Sequence, residues 1–213
     1  MKKLILLISL ICIGGFIKAQ ENEKILKGVK AGYNLTFATY KSTSKLDTKP
    51  FHGGYLGAMM KIPFDNHLYF VPQIDFSYRG MASDSLKPNE FSSIKEVHLR
   101  VQPLLQIDFK HPKEHSNTFF VQFGPSIGFG MLGRQVKQDW GNVPADQKLK
   151  YGFQAYGKYD AHWHTGLGYE NTSGLRVLLE YAHGLGNMIN TDNGPSLKYR
   201  TVSLGIGYWF GKK

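Results

Sequence analysis

From residue 28 onward, apolar and polar side chains alternate one by one in about eight separate stretches, and this regularity restricts the chain to β-structure. In Val97 to Phe109 the odd positions are Val, Leu, Val, Pro, Leu, Ile and Phe, while His98, Arg100, Gln102, Gln106 and Asp108 fill most even ones. In Phe119 to Gly130 one face carries Phe119, Val121, Phe123, Ile127 and Phe129, and the other carries Gln122, Gly124, Ser126, Gly128 and Gly130. Successive strand side chains point to opposite faces, so each stretch has one greasy side and one polar or bare side. The spacing predicts strands over 28–38, 51–63, 67–79, 94–109, 118–131, 158–170, 174–186 and 198–210. Connections after the second, fourth and sixth are short, whereas the others run through 39–50, 80–93, 132–157 and 187–197. This alternation of turns and longer loops predicts an all-β fold, an eight-stranded antiparallel up-and-down transmembrane β-barrel.

Periodicity does not say which face points outward, but volume does. Eight strands enclose a space just wide enough to be filled by side chains. The apolar faces supply far more large residues than the about one dozen such a core holds. Among them are Leu56, Ile74, Phe76, Val101, Leu105, Leu167, Val177, Leu204 and Ile206. They belong outside, against lipid. A soluble, lipocalin-like barrel reverses the faces and is the alternative. Tyr69, Tyr78, Tyr159, Tyr169, Tyr199, Tyr208 and Trp209 lie near strand ends, where aromatic girdles form in membrane barrels.

Residues 1–19 read as a signal peptide: Lys2 and Lys3, then an apolar run from Leu4 to Ile17, then Ala19 at the cleavage position. That run is short for a membrane-spanning helix. Residues 20–213 form the barrel domain, undivided by any linker. Cys12 is the only cysteine and lies inside the leader, with Ile11 where a lipoprotein signal needs a small residue. The mature chain therefore has neither disulfides nor thiolate-held metals. Cleavage removes three lysines and leaves 23 basic against 16 acidic residues, a formal charge of +7. The excess is scattered through loops, which suits anionic headgroups and not nucleic acid.

The residues resemble the PorT-like outer-membrane β-barrel proteins of the Bacteroidota. The resemblance runs through Gly28 to Leu35, Gly57 to Pro63 followed by Leu68 to Gln73, and Leu99 to Leu105 with its central proline. It continues in Phe120 to Pro125 and Gly166 to Glu170, and closes with Val202 to Phe210. It implies insertion by the outer-membrane assembly machinery, which reads an aromatic-rich last strand. Here Phe210 is followed by Gly211-Lys212-Lys213, a departure from the pattern. Some relatives take part in secretion and gliding, and that role does not transfer.

The inward face concentrates the charges: Lys30, Lys61, Asp75, Arg79, Glu96, His98, Arg100, Asp108, Asp160, His162, His164, Arg176 and Glu180. Buried charge is costly unless paired, so Arg100, Asp108, Asp160, His162, His164, Arg176 and Glu180 are expected in a salt-bridged lumen network that plugs the barrel. Two rival chemistries use the same residues. His162 and His164, with Asp160 and Glu180, have strand spacing suited to metal ligands. A lipid A-modifying, deacylase-like enzyme needs a serine activated by His and oriented by a carboxylate. Ser203 is the nucleophile candidate, with His162, His164 or His183 as base and Glu180 as orienter. The favoured reading is non-enzymatic, with no catalytic residues, metal or cofactor. It is a structural or interaction barrel in contact with outer-membrane lipid and lipopolysaccharide, with loops free for a secretion-system or cell-surface protein partner.

Overall fold

Eight alternating segments pair in sequence order, and the last closes on the first. The computed structural model describes residues 24–41, 45–46, 48–83, 91–110, 117–137, 145–152, 156–189 and 196–211. The leader read over 1–19 and the terminal Lys212-Lys213 lie outside the described residues. The wall strands are β1 (Leu26–Lys41), β2 (Phe51–Pro63), β3 (Leu68–Ser83), β4 (Phe91–Asp108), β5 (Thr118–Lys137), β6 (Tyr159–Glu170), β7 (Leu175–Gly184) and β8 (Ser196–Phe210). All neighbours are antiparallel, and β8 pairs with β1 from Lys27 opposite Phe210 to Lys41 opposite Ser196, which closes the eight-stranded wall on itself. Three short strands, Lys45–Leu46, Thr48–Lys49 and Ala145–Lys148, extend the wall at the long-loop end.

At the short-turn end, β6 passes to β7 through Asn171 to Gly174. Asn171 Oδ1 accepts from Leu175 N at 2.9 Å, and Gly174 takes a φ of 92° that other residues adopt at a cost. The chain re-enters the wall in register within four residues.

The faces divide as volume requires. Leu56, Phe76, Ile127, Leu167, Leu179, Leu204 and Ile206 all project outward and are exposed, while the polar set from Lys30 to Ser203 is buried within the lumen. The soluble, inside-out alternative is thereby excluded. Glycines on the inward face make room for long neighbours. The Tyr55 ring lies over Gly32, where a Cβ would stand 2.5 Å from Tyr55 Cε1, and the Tyr55 hydroxyl occupies the space above Gly205. Gly205→Val should therefore cost about 1–3 kcal/mol by overpacking. An unchanged thermal midpoint of the refolded barrel would refute that account of the bare face.

Two sequence expectations are corrected. Tyr69, Tyr199 and Trp209 do not join an aromatic girdle; they are buried inside. There they pack on cations, with Lys61 Nζ 4.2 Å from the Tyr69 ring centre and Arg79 4.6 Å from that of Tyr199. Tyr78, Tyr159 and Tyr208 do face outward. The strands at the long-loop end also run further than their alternation suggests: β3 to Ser83, β4 from Phe91 and β5 to Lys137. The cause is an inversion of polarity. Below Tyr78 and Val97 the apolar side is outside; above them Met81 and Ile94 point inward and are buried, while Lys95 is exposed. Beyond the lipid the wall has water outside and a hydrophobic core inside.

Candidate functional site in the lumen

The inward side chains assemble into three stacked polar layers under an apolar cap. Nearest the short turns, Lys61 Nζ lies 2.6 Å from Asp108 Oδ2 and 3.3 Å from Glu170 Oε1. Trp209 Nε1 donates to Glu170 Oε2 at 2.8 Å, and Gln106 donates to Asp108 Oδ1 at 2.7 Å. Arg176 donates to Gln106 Oε1 at 3.2 Å and Gln122 Oε1 at 3.0 Å, its guanidinium stacked over Phe120 and Trp209. Arg is suited to this position because its flat, weakly hydrated head satisfies hydrogen bonds and aromatic faces together.

In the middle layer Asp75 receives three donors. Lys30 Nζ stands 2.7 Å from Oδ2, Arg100 Nε 2.7 Å from Oδ1, and Gln102 adds a further bond. Across the lumen Gln122 donates to Glu180 Oε2 at 3.1 Å, so Arg176 reaches Glu180 through Gln122. His164 Nδ1 lies 2.9 Å from Glu180 Oε1, and its Nε2 lies 2.7 Å from Ser126 Oγ. A carboxylate only accepts, so Nδ1 carries the proton, and in the neutral imidazole Nε2 is then the acceptor for the serine hydroxyl. That is the order nucleophile, base, orienting carboxylate.

The upper layer centres on Arg79. Its Nε donates to Glu96 Oε1 at 3.0 Å and its Nη1 pairs with Asp160. His98 Nε2 and His162 Nε2 lie 3.1 Å and 3.3 Å from the same guanidinium. Above it Tyr40, Met81, Ile94, Leu149, Tyr156, Met188, Ile189, Leu197 and Tyr199 form a buried apolar cluster across the mouth. Tyr156, from the connection between β5 and β6, donates to Glu96 Oε1 at 2.7 Å, and its Oη lies 3.0 Å from the hydroxyl of Tyr199. Burial, then the Glu96 carboxylate, holds the Tyr156 phenol well above its ordinary pKa, so it remains a donor.

Arg100, Asp108, Asp160, His162, His164, Arg176 and Glu180 all face the lumen and are buried, but they fall in separate layers. Arg100 engages Asp75, Asp108 engages Lys61, Asp160 and His162 engage Arg79, and Glu180 engages His164. The metal alternative meets a physical obstacle: the Arg79 guanidinium occupies the space among Glu96, His98, Asp160 and His162. Among the described residues no group of three or more His, Cys, Asp or Glu is disposed to hold a metal ion. The nucleophile assignment is corrected. Ser203 Oγ donates to Asn34 Oδ1 at 2.7 Å, and His183 is on the outer face near Tyr181. The serine beside His164 is Ser126, one of the small residues on the polar face of β5. The missing signal is register: Ser126 pairs with His162, which places it diagonal to His164.

A closed eight-stranded wall, apolar toward its surroundings and polar within, defines an integral outer-membrane barrel. The chain belongs to the outer membrane protein beta-barrel domain family, whose model matches residues 18–190. Among solved structures, Ail, the attachment invasion locus protein of Yersinia pestis, is 14% identical with a TM-score of 0.50, covering 88% of this chain and 100% of its own. Neisserial surface protein A is 14% identical with a TM-score of 0.51, covering 87% and 99%. At such identities the likeness is one of fold. No curated protein matches the sequence. The protein is thus one of the outer membrane.

Proposed function

We propose that the protein is an exported barrel of the PorT-like group of the Bacteroidota, released from its leader near Ala19, with a structural or interaction role. On this reading its lumen is a permanent plug and its longer loops meet a partner outside the cell. The observation that carries it is the continuity of the lumen from the Lys61 layer to Arg79, roofed by Tyr156 and its apolar neighbours. Salt-bridged layers of this kind block ions as well as solutes. Purified protein in planar bilayers should give no stable conductance steps, and persistent open-channel currents would remove the plug from the proposal. Loops offered to a partner should be reached by protease added to whole cells, with the barrel itself protected.

A second reading is favoured by one specific observation, the Ser126–His164–Glu180 constellation. Its geometry is that of an acyl-transfer site, but Ser126 is 1% exposed and His164 0%, facing away from lipid. The outward positions beside it are Pro125 and Ile127, so an acyl chain outside meets the back of the strand. Glu180→Gln should lower the unfolding free energy by about 1–3 kcal/mol, read from denaturation midpoints, through its His164 and Gln122 partners. Neither protein should release acyl chains from lipopolysaccharide. Release by the parent that is lost in a stable Ser126→Ala variant would make this an enzyme.

A further inference from the structure

At the height where polarity inverts, cations stand side by side on the outer wall. Lys95 of β4 is directly opposite Arg134 of β5, and Arg134 is directly opposite Lys148 of the short strand Ala145–Lys148. All three are exposed, and Arg134 has an ion pair with Asp146 at 3.1 Å. Like charges directly opposite on adjacent strands destabilise a sheet, so the row gains nothing for the fold by itself. Immediately below it, toward the membrane, Val97 is opposite Tyr78 on one side and Leu132 on the other. The pairing register shifts between Val97 and His98, and a groove of about 510 Å³ lies among Tyr78, Val97, Leu132, Lys95, Arg134 and Lys148, with Glu96, whose side chain is buried toward the lumen, also on its lining.

We propose that this groove holds one phosphorylated, acylated glycolipid of the outer leaflet, of the lipid A class. Its phosphates meet Lys95, Arg134 and Lys148, and an acyl chain runs down along Tyr78, Val97 and Leu132. The inference rests on the outer-membrane placement with the long loops outward. The match is one of charge and level: three cations begin where the apolar band ends, the boundary at which such a molecule carries its phosphates above its chains. A cation near an anionic membrane surface contributes about 1 kcal/mol, or about fivefold in affinity. The row therefore gives at least about tenfold even with Arg134 shared with Asp146. Lys198 and Arg200 on β8 are also exposed rim cations, paired with Thr39 and Phe37 of β1, and provide an internal control.

The test measures binding of purified, detergent-folded full-length protein to diphosphoryl lipid A, to the same lipid with its phosphates removed, and to phosphatidylglycerol. The parent should prefer diphosphoryl lipid A over both others by tenfold or more. Lys95→Gln with Arg134→Gln and Lys148→Gln should abolish the preference, whereas Lys198→Gln with Arg200→Gln should retain it. Equal binding of all three lipids by the parent, a preference surviving the triple change, or its loss in the control pair would each overturn the site. Should the triple variant lose heat-modifiable migration, Lys148→Gln alone decides: its side chain lies outside the eight-stranded wall. A loss of about fivefold supports the site and unchanged affinity rejects it. None of these outcomes depends on the plug or on the loops' partner.

Discussion

Replacing Arg79 by Met should lower the stability of the detergent-folded barrel by about 3–5 kcal/mol, the cost of leaving buried charge without its partner. Arg79 bridges Glu96 and Asp160, both buried carboxylates, and His98 stands beside them with Nε2 2.7 Å from Glu96. Met fills similar volume, so the effect isolates charge and hydrogen bonding from packing. The Tyr199 ring packed on the guanidinium and the Tyr156 hydroxyl on Glu96 remain in place, which limits the damage to the layer itself. Urea or thermal midpoints followed by heat-modifiable migration measure the change. Adding Glu96→Gln and Asp160→Asn should restore a large part of the loss, because neutral amides no longer require a cation. A loss below about 1 kcal/mol for Arg79→Met, or no recovery in the triple variant, would mean that solvent screens the layer and that its ion pairs do not hold the lumen together.

The second large effect belongs to the outer wall. Val101 lies between Ile74 and Ile127 on neighbouring strands, midway along the apolar band of β4. Arg at that position should cost about 2–4 kcal/mol, the usual value for a cation at the centre of a lipid-facing barrel surface. One residue on, Gln102 is 0% exposed and donates to Asp75, which already has Lys30 and Arg100. Arg at 102 is limited by lumen space and by a third cation on one carboxylate, so its cost is independent of the lipid. Cysteines at the two positions separate the mechanisms: a reagent confined to the bilayer should label 101 and spare 102. Labelling of 102 alone would place the faces the other way round.

Most of the architecture is legible in the chain because a period of two is a local property. Val97 to Phe109 shows its two faces without reference to any other strand, and the surplus of large apolar residues decides which face is outside. The upper ends of β3, β4 and β5 were not legible for the same reason. Around Gly80-Met81-Ala82 and just before Ile94 the environment on each side of the wall changes, so the alternation inverts and 80–83 and 91–93 read as loop. Tyr69, Tyr199 and Trp209 misled because aromatic side chains suit a lipid interface and a cation-rich lumen equally well.

The candidate site shows the same division more sharply. The chain alone determined that Arg100, Asp108, Asp160, His162, His164, Arg176 and Glu180 share the inward face, since parity along a strand is enough for that. Tertiary structure alone decided who meets whom. Stagger between strands sets partners at a resolution of one residue, and it placed Ser126, not Ser203, beside His164. It put Gln122 between Arg176 and Glu180, and the Arg79 guanidinium against Asp160 and His162, two of the candidate metal ligands. It also lined up Lys95, Arg134 and Lys148, far apart in sequence, as one row on the outer wall. Alternation is written in each strand; register exists only between strands.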